Sequence, residues 1–115
     1  MKKVKVTQRE IKEGFKNIIE VGYCEIQHLL SHKEPDYYTS GVYGWNADIY
    51  KINNSTVIVT GYRPFGNVKN WKLARKYEEK AYKIDHDLDI PYEKRSKKLE
   101  NLLNKYIDEI LKKEE

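Results

Sequence analysis

The sequence predicts an α+β fold: a small antiparallel sheet with a central hairpin, packed against helices and followed by a long helical C-terminal segment. Three observations point there. Residues 45–62 form two alternating runs around Asn53-Asn54, the pattern of a hairpin. From Val68 onward, apolar residues recur at helical spacing. Between Tyr37 and Asn67 lie five of the ten tyrosines and four of the six glycines. That is too much ring area for a solvated linker, and the glycines mark places where the backbone turns.

The first helix starts at a capping box. Thr7 stands at the N-cap and Glu10 three residues on, with Val6 and Ile11 at the positions of a hydrophobic staple. Ile11, Phe15 and Ile18 share one helical face. The helix either continues through Ile19 or ends near Asn17, which would release Ile18-Ile19-Glu20-Val21 as a short strand. Gly22 marks a break in both cases. A second short helix is expected over Tyr23 to Leu30, with Ile26, Leu29 and Leu30 on its apolar side. It stops at Glu34-Pro35, because a residue before proline avoids the helical region.

The hairpin comes next, with strands Trp45–Ile52 and Ser55–Tyr62. Asparagine tolerates positive φ, so Asn53-Asn54 suits a two-residue turn. That turn pairs Ile49 with Ile58, Tyr50 with Val57 and Trp45 with Tyr62. One face then carries Trp45, Ala47, Ile49, Ile58 and Tyr62, and is the expected core face. A slip of one residue would exchange the faces of one strand. Residues 63–67 read as a loop. A helix follows from Val68 to Ile84, with Trp71, Ala74, Tyr77, Ala81 and Ile84 on its apolar side. The last helix runs from Pro91 to Lys113 on a stripe of Leu99, Leu102, Leu103, Tyr106, Ile107, Ile110 and Leu111.

A chain of 115 residues is of single-domain size. Within it, residues 1–67 read as the α/β part and 68–115 as a helical pair. Charged residues make up 35% and hydrophobic ones 39%, enough for one modest core. The net charge is +4. Residues 1–67 hold nine Lys/Arg against seven Asp/Glu, and residues 68–115 thirteen against eleven, so each part is +2. No strongly basic arm stands out for nucleic acid. The single cysteine, Cys24, permits no intramolecular disulfide and suits a reducing cytoplasm. No apolar stretch follows the N-terminal lysines, so no signal peptide is expected. No segment is apolar enough to span a membrane, and cytoplasmic location is the expectation.

Several chemistries can be weighed on residue type and spacing. Cys24 and His28 lie four apart on the expected second helix, where an imidazole can draw a proton from a thiol. No orienting acid accompanies them, and a structural cysteine is the simpler reading. Asp85-His86-Asp87-Leu88-Asp89 has the look of a metal loop, but a calcium-binding loop begun at Asp85 needs glycine where Ile90 stands and an acid where Ser96 stands. One cysteine and three scattered histidines give no zinc-finger spacing. No cofactor or metal is therefore expected. Gly61 to Gly66 lacks the spacing of a phosphate loop.

Two binding surfaces remain. Lys72, Lys76, Lys80 and Lys83, with Lys69, fall on one side of the helix after Val68 and offer ammonium groups to phosphates. Such a stripe is more commonly a solvated face. Tyr37, Tyr38, Tyr43 and Arg63, with Trp45 and Tyr62, are residue types that dominate protein–protein contacts. The expected hairpin brings Arg63 near Gly44 and Trp45. Some of these rings, Trp45 and Tyr62 first, also serve to fill a small core.

Three strings carry a resemblance. They are Gly22-Tyr23-Cys24 with Gln27 and Leu29-Leu30; Tyr38-Thr39 with Gly41 to Tyr50 (GVYGWNADIY); and Thr60 to Asn67 (TGYRPFGN). Together they resemble a group of small, functionally uncharacterised proteins of low-GC Gram-positive bacteria, their phages and other mobile elements. The likeness covers roughly residues 7 to 83 and leaves out the last helix. It implies a shared fold and an accessory or counter-defence role. The expected function is non-enzymatic binding of a host protein or nucleoprotein complex, in the manner of an anti-CRISPR inhibitor. The alternatives are a nucleic-acid-binding accessory protein and a thiol enzyme using Cys24. No membrane partner is expected.

Overall fold

A computed structural model describes residues 3–39, 46–61 and 71–114. Its elements are β1 (Val4–Lys5), α1 (Gln8–Gly14), β2 (Asn17–Gly22), a 3₁₀ turn (Tyr23–Glu25), β3 (Tyr37–Thr39), β4 (Ala47–Lys51), β5 (Thr56–Gly61), α2 (Trp71–Asp85) and α3 (Tyr92–Glu114). The fold is α+β with a long C-terminal helix. The chain forms two compact units: residues 1–24 with 33–68, and residues 25–32 with 69–115.

The first unit is built on a five-stranded sheet in the order β1-β3-β4-β5-β2. β3, β4 and β5 are antiparallel, but β1 runs parallel to β3 and β2 parallel to β5. The sheet is thus mixed, not purely antiparallel as the sequence suggested. The reason lies in where α1 ends. The capping box forms as expected, with the Glu10 N–H donating to Thr7 Oγ1 at 3.1 Å and the Thr7 N–H donating to Glu10 Oε1 at 3.2 Å. The helix then lasts only to Gly14. Phe15 is already extended, and its N–H caps the Ile11 carbonyl. This frees the β-branched run Ile18-Ile19 and Val21, which favours a pleated surface, to pair with β5 over six positions, from Asn17 opposite Thr56 to Gly22 opposite Gly61.

The hairpin is present, with its register shifted by one residue. Its loop holds three residues, Asn53, Asn54 and Ser55, not two. The Ile52 N–H donates to the Thr56 carbonyl at 3.0 Å, and Asn53 Oδ1 accepts the Ser55 N–H at 2.8 Å. The side-chain bond makes Asn53 the organiser of the turn. The pairs are Ile49 with Val59, Tyr50 with Ile58 and Lys51 with Val57. The expected pairing of Trp45 with Tyr62 lies outside the described residues. Ala47 and Ile49 face the core as expected, but Val57 and Val59 join them and Ile58 turns to the opposite face. Ile11, Ala47, Ile49, Val57 and Val59 make this core, with Val6, Phe15, Ile18 and Tyr37 packed against it. Ile58 and Tyr50, on the opposite face, are buried too.

The second unit pairs α2 with α3. Asp85 of α2 meets Arg95 near the start of α3, whereas Tyr77 meets Tyr106 and Glu109 further along it, so the two helices are antiparallel. The buried side of α2 is Leu73, Ala74, Tyr77 and Ala81. Leu73 takes the place expected of Trp71, which is half exposed at 50%. On α3, Leu99, Leu103, Tyr106, Ile107 and Ile110 are buried as the stripe requires. The Tyr77 hydroxyl donates to Glu109. Its pKa is pushed up to about 12, by burial first and then by that carboxylate.

The helix expected over Tyr23 to Leu30 is replaced by the 3₁₀ turn and a run of turns through His32. In the second unit, Glu78 Oε1 accepts the N–H groups of both His28 and Leu29, at 2.9 and 3.0 Å. One carboxylate on α2 thereby satisfies donors that a continuing helix would have directed to its own carbonyls.

The Asn53 side chain holds this turn, and its contribution can be measured. Asn53→Ala removes the Oδ1 acceptor of the Ser55 N–H and should cost about 0.5–1.5 kcal/mol in chemical denaturation. Asn54→Gly, which keeps that bond, should stay close to the parent. An unshifted midpoint in Asn53→Ala would mean that the side chain does not organise the turn.

Candidate functional site

Strand alternation places a row of side chains on the face opposite Ile49 and Val59. Tyr38 of β3 stands opposite Asp48 of β4, and Asp48 opposite Thr60 of β5. Tyr50 lies two residues beyond Asp48 on the same face. Tyr23 follows directly on the end of β2. Together with Lys3 and Asn46 these side chains line a cleft of about 480 Å³ in the first unit. Thr39, Ala47 and Gly61 complete its wall. The size falls in the range of ordinary small-ligand or side-chain pockets.

The row is held by a few polar contacts. Lys3 Nζ donates to Asp48 Oδ1 at 2.8 Å and lies over the Tyr38 ring, 5.6 Å from its centroid. Thr60 Oγ1 donates to the Asp48 carbonyl at 3.2 Å. The Lys3–Asp48 pair is well exposed, so it contributes on the order of 0.5 kcal/mol and mainly orients the two groups. It also cancels their charges, which leaves the cleft without a net anion- or cation-binding character. Asp36 secures the neighbouring edge: its Oδ2 accepts the Lys51 N–H at 2.8 Å.

Tyr50 is buried at 5% exposure. Burial, the Asp48 charge and Tyr23, in that order, push its phenol up to about 12. It therefore stays a neutral donor and acceptor at physiological pH. The cleft offers three phenols, a hydroxyl, an amide and ring faces. These recognise polar groups by hydrogen bonds and stacking.

Of the aromatic residues expected at a partner surface, Tyr38 lies in this cleft. Tyr37 does not: β3 turns it to the core face, where its ring meets Phe15 at 6.4 Å between centroids. Tyr43, Trp45, Tyr62 and Arg63 lie outside the described residues, as does the expected convergence of Arg63 with the sheet edge. Lys72, Lys76, Lys80 and Lys83 are all exposed on α2, while Lys69 lies outside the described residues. Cys24 is exposed, and the helical spacing that would bring it beside His28 is not realised, because the helix is absent. Sequence reasoning missed Lys3, Tyr23, Asp48, Tyr50 and Thr60 as site residues. The signal for Asp48 and Tyr50 was their alternation with Ala47 and Ile49. Lys3 and Tyr23 join them only through the sheet.

In the second unit His28, Asp85 and His86 lie close enough for one ligand atom of each to fall within 4.8 Å of the others. Among the described residues no helix is long and apolar enough to cross a membrane. No protein-family model, curated protein or solved structure matches the chain.

The environment of Tyr50 has a pH signature. Its folded pKa is raised above the ordinary 10.0 to about 12. Its contribution to stability is thus fully present below about pH 10 and is lost as pH rises through about 12. Tyr50→Phe should remove one late step from the ultraviolet phenolate titration and lessen the alkaline loss of stability. A Tyr50 that ionises near pH 10 would contradict its burial beside Asp48.

Proposed function

We propose that this chain is a non-enzymatic binding protein that receives a polar, uncharged segment of a protein partner in the cleft between Tyr23, Tyr38 and Tyr50. One observation carries this reading: three tyrosines converge around a charge-neutral, hydrogen-bonding cleft on the sheet face. Tyrosine combines large contact area with a polar tip and low ordering cost, which is why it recurs where proteins bind proteins. The neutral Lys3–Asp48 pair favours a neutral guest over a phosphate or a carboxylate. The resemblance to mobile-element proteins supplies the setting, an inhibitor of a host protein or nucleoprotein complex of the anti-CRISPR type.

A second reading has its own support. Lys72, Lys76, Lys80 and Lys83 are exposed along α2, and among the described residues none forms a salt bridge. Such a row suits a nucleic-acid backbone or the nucleic acid of a nucleoprotein partner. Glu79, held by Arg75 at 3.4 Å, interrupts the same helix.

The two readings separate in one experiment. The tagged chain is used to capture its partner from host lysate, with and without nuclease, beside Tyr38→Ala and a Lys72→Glu/Lys76→Glu/Lys80→Glu variant. Cleft binding predicts nuclease-resistant capture that Tyr38→Ala weakens by about 1–3 kcal/mol with little change in melting temperature. Lysine binding predicts nuclease-sensitive capture, a steep fall with salt and loss in the triple variant. Tyr38→Ala with undiminished affinity would place the interface outside the cleft.

A further inference from the structure

We infer that His28, Asp85 and His86 form a binding site for a divalent transition-metal ion of the zinc class. The three residues belong to the second unit and come from two places in the sequence: the turn after the 3₁₀ element, and the C-terminal end of α2. A ligand atom from each lies within 4.8 Å of the other two.

The arrangement around the imidazoles goes beyond proximity. His28 Nδ1 is 3.1 Å from Glu78 Oε2, and His86 Nδ1 is 3.0 Å from the Tyr82 carbonyl. Both partners are acceptors, so each neutral ring carries its proton on Nδ1 and keeps the Nε2 lone pair. A carboxylate or a main-chain carbonyl behind the imidazole is the usual support for a metal-bound histidine, since it fixes the tautomer and makes the ring more basic. Here each histidine has one of the two. The same Glu78 also accepts the His28 and Leu29 N–H groups, so the acid that orients the ring anchors its backbone.

Tyr82 sets the ring planes. It stacks on His86, with centroids 4.1 Å apart and 28° between planes, and meets His28 edge-on at 4.9 Å. The two imidazoles are 5.2 Å apart. Asp85 gives its main-chain carbonyl to Arg95 Nη1 at 2.9 Å, which fixes its backbone and leaves its carboxylate to act as the third ligand.

The donor set selects the metal. Two imidazoles and one carboxylate suit zinc and its neighbours, whereas calcium and magnesium call for oxygen ligands in larger number. Tetrahedral zinc holds its ligand atoms about 3.4 Å apart, so no pair has to close by more than about 1.4 Å. Small side-chain torsions shared among the three residues supply that movement. Three protein ligands leave a fourth position for water or for a group from a partner. Bound metal would fasten the His28 turn to the end of α2 and stabilise the second unit by mass action.

The test is calorimetric titration of EDTA-treated protein with zinc chloride, and with magnesium chloride as control, alongside melting curves. The expected result is one zinc per chain, a raised melting temperature with zinc and no response to magnesium. His86→Ala and Asp85→Asn should each weaken zinc binding at least about tenfold. His86 is exposed, so His86→Ala should leave the metal-free melting temperature in place. Glu78→Gln, which removes the orienting charge, should weaken binding by roughly 10–100-fold. Cys24→Ser should bind zinc as the parent does. Three results would overturn the site: no saturable binding at one equivalent, zinc binding that survives His86→Ala, or binding lost with Cys24.

Discussion

The three-residue loop Asn53–Ser55 sets which side of β5 faces which side of β4, and the first unit depends on that choice. In an antiparallel pair, opposed residues share a face. Because Ile49 meets Val59 and Lys51 meets Val57, both valines fall on the side where α1 places Ile11. The same register puts Thr60 opposite Asp48, and β3 puts Tyr38 opposite Asp48 in turn. Core and cleft are therefore two faces of one pairing. A loop closed one position earlier, with Ser55 drawn into the strand opposite Ile52, would exchange Thr60 for a neighbour in the row and remove Val57 and Val59 from the core together.

In the second unit a comparable burden falls on Glu78. It sits on α2 and is half-buried, and it accepts two main-chain N–H groups and faces an imidazole. Removing such an acceptor leaves its donors without partners, a cost of about 1–3 kcal/mol for each buried group. The turn at His28–Leu29 thus owes its shape to a residue fifty positions away in the chain. No local pattern in residues 23–30 announces this. The local pattern announces a helix, and the apolar spacing of Ile26, Leu29 and Leu30 serves burial equally well in a turn.

This contrast marks what could be seen in the sequence. Signals that act within a few residues were legible: the capping box at Thr7, the existence of the β4–β5 hairpin, the stripe of α3. Signals that need a partner far along the chain were not. The parallel pairing of β2 with β5 rests on residues that equally continue a helix until Gly14 and Phe15 end it. Trp71 reads as a core residue by type, yet Leu73 and Ala74 give α2 a buried side that omits it. In the cleft, Tyr38 stood out because it is one of an aromatic cluster, whereas Lys3 and Tyr23 belong to it only through strand order. His28 and His86 are 58 positions apart by their numbering, and no spacing rule connects them. Only the packing of the second unit brings their rings together.

The parallel strand pair also bears on how the chain reaches its native state. β2 and β5 are 39 positions apart at every rung of their ladder, whereas β4 and β5 are joined by the four residues 52–55. Closing the larger loop costs more chain entropy and returns nothing until the first rungs form. The hairpin can therefore assemble early, and β2 docks on it late. During synthesis β2 emerges from the ribosome well before its partner. Throughout that interval Ile19 and Val21 stand on a strand with open hydrogen-bonding groups, the state most exposed to pairing with another copy of the chain. Glu20, exposed between them, is the one charge placed to discourage it.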